Sequence, residues 1–83
     1  MKIYYTKHAE LKFGYHKELG WDFSRRQINK IVRTPHKPRP GYRGTKIVSS
    51  PIDKTHDLRV VYVEVNVIIT VVTFYPIKKG RYE

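Results

Sequence analysis

Residues 58–75 read LRVVYVEVNVIITVVTFY. β-Branched and aromatic side chains fill this stretch, a composition that suits a pleated, half-buried surface and disfavours helix. Two runs, LRVVYVE (58–64) and VIITVVTFY (67–75), flank Val65-Asn66. Asn66 tolerates the backbone of a tight turn, so a hairpin is predicted there. The apolar run Val60 to Phe74 is too short to span a bilayer as a helix, and Glu64 and Asn66 interrupt it.

Upstream, KIYY (2–5) reads as a short first strand ending at Thr6, which is placed to cap a helix running to about Leu19. Gly20 then falls where a helix end favours positive φ. On that helix Leu11, Tyr15 and Leu19 share one side, His8, Lys12 and His16 recur on another, and Gly14 weakens the middle turn. A second helix fits FSRRQINKIVRT, with Ser24 as N-cap and Gln27 at capping-box spacing. Its apolar face is Ile28, Ile31 and Val32, its wet face Arg25, Arg26, Lys30 and Arg33, and Pro35 ends it near Thr34. TKIVSS (45–50) reads as a strand, PIDKTHD (51–57) as a turn or wider loop, and Pro76 as the stop of the last strand before a charged tail, IKKGRYE. The order is β-α-α-β-β-β. The expected class is α+β, one domain over residues 1–83, with an N-terminal helical hairpin packed on one face of a mainly antiparallel sheet.

Between the second helix and the next strand lies RTPHKPRPGYRGTK (33–46), with five Arg or Lys and no acid. Its three prolines each remove an amide donor, which excludes helix and central strand. Over the whole chain, 17 Lys and Arg against seven Asp and Glu leave a formal charge of +10. Such a balance suits nucleic acid, an anionic membrane surface or an acidic protein. The short apolar runs argue against a membrane partner. No secretory leader is visible at MKIYYTKHAELK, and the absence of cysteine rules out a disulfide framework, a thiolate metal site and a cysteine nucleophile. A cytoplasmic address is expected. Of the four histidines only His8 and His16 are regularly spaced, and no metal or other cofactor is expected.

The element order, with KIV, LRVVYVE and VIITVVTFY in sequence, resembles the RelE/ParE superfamily of small bacterial and archaeal toxins. The opening KHAELK is similar to families of that fold that begin their first helix with His-Ala. The resemblance implies a RelE-like ribonuclease, ribosome-dependent or free, held silent by an acidic antitoxin. By position Lys46 matches a strand-borne catalytic Lys of the RelE branch, and Arg59 its phosphate-binding Arg. Lys78, Lys79, Arg81 and Tyr82 lie where that branch keeps a C-terminal Arg and Tyr, although the spacing differs. The ParE branch shares the fold and binds a topoisomerase without cleavage, so a non-catalytic nucleic-acid- or protein-binding module is the alternative. The implied partners are RNA, including ribosome-bound mRNA, and the antitoxin; a homodimer stays open.

Metal-free RNA cleavage needs a base for the 2′-hydroxyl, cations for charge building on phosphate, and an acid for the leaving 5′-oxygen. The candidate catalytic residues are His8, Lys46, Arg59, Thr73 and Tyr75. If their strands pair, Lys46 and Arg59 are expected to aim at one phosphate. A three-residue loop, Val65 to Val67, would put Arg59 opposite Thr73, whereas a two-residue loop would separate them. Candidate RNA-binding residues are Lys12, Arg39, Tyr42, Arg43, Lys54, His56, Lys79 and Arg81, with Tyr42 the best placed to stack on a base. The proline-rich segment is expected to be a basic strap beside Lys46 that adds affinity, too mobile for chemistry.

Overall fold

The computed structural model of the chain describes residues 1–80. Strand β1 (Lys2–Tyr5) leads into helices α1 (Lys7–Glu18) and α2 (Arg25–Arg33). Strands β2 (Arg39–Pro40), β3 (Lys46–Pro51), β4 (His56–Val65) and β5 (Ile68–Lys78) follow. The class is α+β, two helices with one five-stranded mixed sheet ordered β1-β5-β4-β3-β2. β1 runs parallel to β5, and the other neighbours are antiparallel. The expected order lacked β2, which forms inside the strap. A proline is tolerated there because β2 is an edge strand.

Both helices start as the sequence predicts. Thr6 Oγ1 accepts the Ala9 amide at 3.0 Å and Ser24 Oγ accepts the Gln27 amide at 3.1 Å, each relieving one orphan donor of a first turn. Gly20, at φ 95°, ends α1 with paired bonds from the Gly20 amide to the Lys17 carbonyl and from the Trp21 amide to the His16 carbonyl. The helices are tied to each other by Arg25, which pairs with Glu10 and lies over the rings of Tyr5 and Phe13 at 4.8 and 5.2 Å.

The core lies between the helices and one face of the sheet. Val48 of β3, Leu58, Val60 and Tyr62 of β4, and Ile69, Val71 and Phe74 of β5 meet Ala9, Ile28 and Val32. α2 buries the face expected of it. α1 does not. Its inward side is Ala9, Phe13 and His16, while Leu11, Tyr15 and Leu19 stay 66%, 55% and 61% exposed. The reason lies at β5. β1 covers that strand only from Ile68 to Val71, so the backbone beyond is an open edge. α1 runs along that edge and satisfies it: Thr6 Oγ1 donates to the Val72 carbonyl at 3.0 Å, and His16 Nε2 meets the Phe74 carbonyl at 2.8 Å. A helix that must serve an edge turns a polar donor inward and leaves its leucines outside.

The hairpin turn is Asn66-Val67, one residue later than expected, with Val65 paired to Ile68 and Asn66 at φ 56°. β4 begins two residues before LRVVYVE, and β5 runs through Pro76 instead of stopping there. The Phe74 carbonyl points away from β4 toward His16, so Pro76, two residues on, directs its missing donor to the same outer edge. No ladder bond to β4 is lost.

Candidate nucleic-acid interface

Neither helix covers the second face of the sheet. Side chains alternate along a strand, so the residues between the core positions point to this side. Cross-strand pairing arranges them in rows. Ser49, Arg59 and Tyr75 form one row across β3, β4 and β5, and Ile47, Val61 and Thr73 form the next. Arg39 of β2 extends that second row, opposite Ile47. Adjacent strands lie about 4.8 Å apart, so a single phosphate or sugar can touch more than one member of a row.

A β-bulge makes this grouping possible. Val61 pairs with Thr73 but Tyr62 with Val71, which leaves Val72 as an extra residue on β5. The observed two-residue turn alone would set Arg59 opposite Phe74, on the wrong register for Thr73 and Tyr75. The added residue shifts the register by one and returns all three to one face. The sequence weighed turn lengths only, and the gathering comes from a bulge.

Arg59 is half-buried, with Nε and Nη2 removed from solvent. Thr73, Tyr75 and Ser49 are also half-buried. One carboxylate stands at the end of this face. Asp57, 5% exposed, lies in the row Pro51, Asp57, Ile77, and Lys79 Nζ donates to it at 2.7 Å. That bond neutralises the acid that would repel a polyanion, and it engages a lysine named from the sequence as an RNA contact.

Lys46 does not join Arg59. It opposes Tyr62, on the helix side of the sheet, and its Nζ donates to Glu64 Oε1 at 3.1 Å. The two residues are on neighbouring strands, as expected, but a strand's alternation sends their side chains to opposite faces. Beneath Lys46 the Tyr62 hydroxyl is buried with no hydrogen-bond partner among the described residues. Burial pushes its pKa up, Lys46 pulls it down, and Glu64 raises it.

His8 is exposed in the first turn of α1, two residues after Thr6, whose bond to Val72 holds that turn beside the bulge. His56 opposes Lys78 on the helix side, not in the Arg59 row. Its ring Nδ1 bonds Thr55 Oγ1 at 2.8 Å, and the ring packs edge-on against Trp21 at 5.0 Å. The turn that holds it is built by Asp53, which accepts the amides of Thr55 and His56, both at 2.8 Å. The Thr55 amide holds the Asp53 carboxyl below the usual range; desolvation opposes it, and the His56 amide, the Thr55 hydroxyl and the His56 ring lower it further. Lys54 is exposed in the same turn. Lys12 sits over the Tyr15 ring at 4.8 Å, on α1 and away from the row. Tyr42 and Arg43 form the exposed tip of the strap. Arg81 and Tyr82 lie outside the described residues. Ser49 was not singled out from sequence, although it lies three residues after Lys46 and alternation puts it on the other face. Among the described residues no three His, Cys, Asp or Glu side chains converge as metal ligands.

Three cations also line a groove along α2: Arg26, Lys30 and Arg33, with Asn29 and Thr34. Among the described residues no helix is long and apolar enough to cross a membrane. Comparisons with protein-family models, curated proteins and solved structures return no match to this chain.

Proposed function

We propose that the chain binds single-stranded RNA across the helix-free sheet face and cleaves it without metal, as the toxin of a toxin–antitoxin pair with a RelE-like arrangement. The observation that carries the reading is the Arg59–Tyr75 pair, side by side on β4 and β5, flanked by Ser49 and Thr73 on a face with no helix over it. Arg59 supplies a fixed positive charge beside the phosphate as negative charge builds on its oxygens. In the reaction the 2′-oxygen attacks phosphorus and loses its proton, the bond to the 5′-oxygen breaks, and that oxygen takes a proton. Tyr75 is suited to deliver that proton, and the hydroxyls of Ser49 and Thr73 can orient the ribose. His8, on the first turn beside the bulge, is the candidate base. The charge of +10 supports both a polyanionic substrate and an acidic protein that silences it. A cytoplasmic address belongs to the same reading.

One observation favours a second reading, binding without cleavage: Lys46 is held by Glu64 on the other face, and His8 and His56 both lie off the strand row. Incubating the purified protein with single-stranded RNA in excess chelator separates the two. Cleavage is expected to yield 2′,3′-cyclic phosphate and 5′-hydroxyl ends, and Arg59→Ala and Tyr75→Phe to suppress it. Tight binding with intact RNA would establish the second reading instead.

A further inference from the structure

The strap is a built hairpin that carries an aromatic ring at its tip. Arg39 and Pro40 pair with Ile47 and Lys46. Beyond them the Gly41 amide donates to the Thr45 carbonyl at 2.8 Å. The Thr45 amide and hydroxyl both donate to the Tyr42 carbonyl, at 3.2 and 2.7 Å. Gly41 is required: a Cβ there would stand 2.5 Å from Thr45 Oγ1 and 2.9 Å from Ile47 Cγ1. Arg43 is held in the left-handed region, at φ 54° and ψ 46°, a conformation a non-glycine residue adopts only under constraint. These bonds give the proline-rich crossing a defined hairpin shape.

The held tip presents Tyr42 at 77% exposure. The Arg43 guanidinium lies 5.2 Å from the ring centroid, so a cation backs one side of a ring that is otherwise in water. Next to it is a groove of about 540 Å³ lined by Pro38, Arg39, Pro40, Gly41, Thr45 and Lys46, among others. An exposed, preorganised aromatic beside a cation-lined groove has the two parts that a nucleotide needs, a π-face and a phosphate contact.

We propose that the strap tip is a stacking platform for one unpaired base of single-stranded RNA, with the neighbouring phosphate in the groove against Lys46. The proposal rests on the RNA-binding reading above and adds a subsite off the sheet face. It also gives Lys46 a role, as a phosphate anchor outside the Arg59 row. Paired bases hide their faces inside a duplex, so the platform favours single strands and tolerates any base.

The test uses the full chain, an RNA strand of roughly 12 nucleotides, within the range such grooves cover, and a strand of equal length and charge built of abasic ribose phosphate. Fluorescence anisotropy gives both affinities. Wild type is expected to bind the base-bearing strand about tenfold more tightly than the abasic one, the size of one good stacking contact. Tyr42→Ala should lose about that factor on the base-bearing strand and nothing on the abasic strand, while Tyr42→Phe keeps the preference. Arg43→Gly suits the left-handed backbone and should weaken both strands by a few-fold without loosening the turn. If Tyr42→Ala binds the base-bearing strand as tightly as wild type, or weakens both strands equally, the platform is wrong and RNA binding stands. If wild type binds neither strand, the RNA reading fails and the platform with it.

Discussion

The two faces of β4 do different work with the same backbone. Leu58, Val60 and Tyr62 are at most 1% exposed under the helices, and their partners on β5, Pro76, Phe74 and Val71, are apolar. Arg59, one step along, pairs across with Ser49 and Tyr75 on the side no helix covers. Volume and dispersion govern the first face, charge and hydrogen bonding the second. The difference shows how a strand can present a polar face at little cost to the fold: alternate positions answer to separate physical demands. Lys46 teaches the converse, since being on the next strand to Arg59 gains nothing when the side chains leave by opposite faces.

The largest effect is expected on the covered face. Phe74 is fully buried and its ring centroid lies 4.7 Å from that of Phe13. Phe74→Ala should destabilise by about 4 kcal/mol, most of what a chain this short has to lose. A chemical-denaturation midpoint close to wild type would break the division between the faces. Arg59→Ala should do the opposite, lowering RNA cleavage about a hundredfold, or roughly 3 kcal/mol in the barrier, with little change in melting temperature. Lys46→Ala, by contrast, should leave the rate at saturating RNA within a few-fold of wild type. Equal losses of rate in the two variants would refute the separation.

Smaller effects sharpen the contrast. Tyr62→Phe removes a buried hydroxyl that has no partner among the described residues, so it should raise stability by about 1 kcal/mol. A loss of stability would show that the hydroxyl has a partner after all. Tyr5, whose hydroxyl donates to Asn29 Oδ1 at 2.7 Å, has its pKa pushed up to about 12, chiefly by burial, with Arg25 opposing and Glu10 assisting. A phenol whose folded pKa exceeds its unfolded value of 10.0 contributes stability that is complete below pH 10 and lost as the pH rises from 10 toward 12. Urea unfolding across that window should therefore be shallower in its pH dependence for Tyr5→Phe than for wild type, the other titrating groups being common to both.

The sequence carried the helix caps at Thr6 and Ser24, the glycine stop at Gly20 and the α2 face because each depends on residues within a turn of one another. Where it fell short, the deciding contact was distant. His16 faces inward because a carbonyl 58 residues away needs a donor, and no periodicity within α1 records that. The open face was half legible. Alternation alone groups Thr73 with Tyr75, but their union with Arg59 depends on the extra residue Val72, which no turn signal announces. Lys46 was misplaced for a related reason. Its pairing strand could be read, but its face follows from opposition to Tyr62, a register set by tertiary packing. The prolines of the strap predict only a crossing without helix or central strand. Its fixed shape comes from Gly41, Thr45 and the pairing with β3, contacts that composition does not reveal.

Methyl NMR of the valines during titration with single-stranded RNA reads the two faces of one strand side by side. Val61 and Val63 carry their methyls on the helix-free face, and Val60 carries its own in the core. RNA should shift Val61 and Val63 and leave Val60, Val48 and Val71 unmoved. Shifts confined to the core valines, or to Leu11 and Leu19 on the outside of α1, would contradict an RNA-binding sheet face.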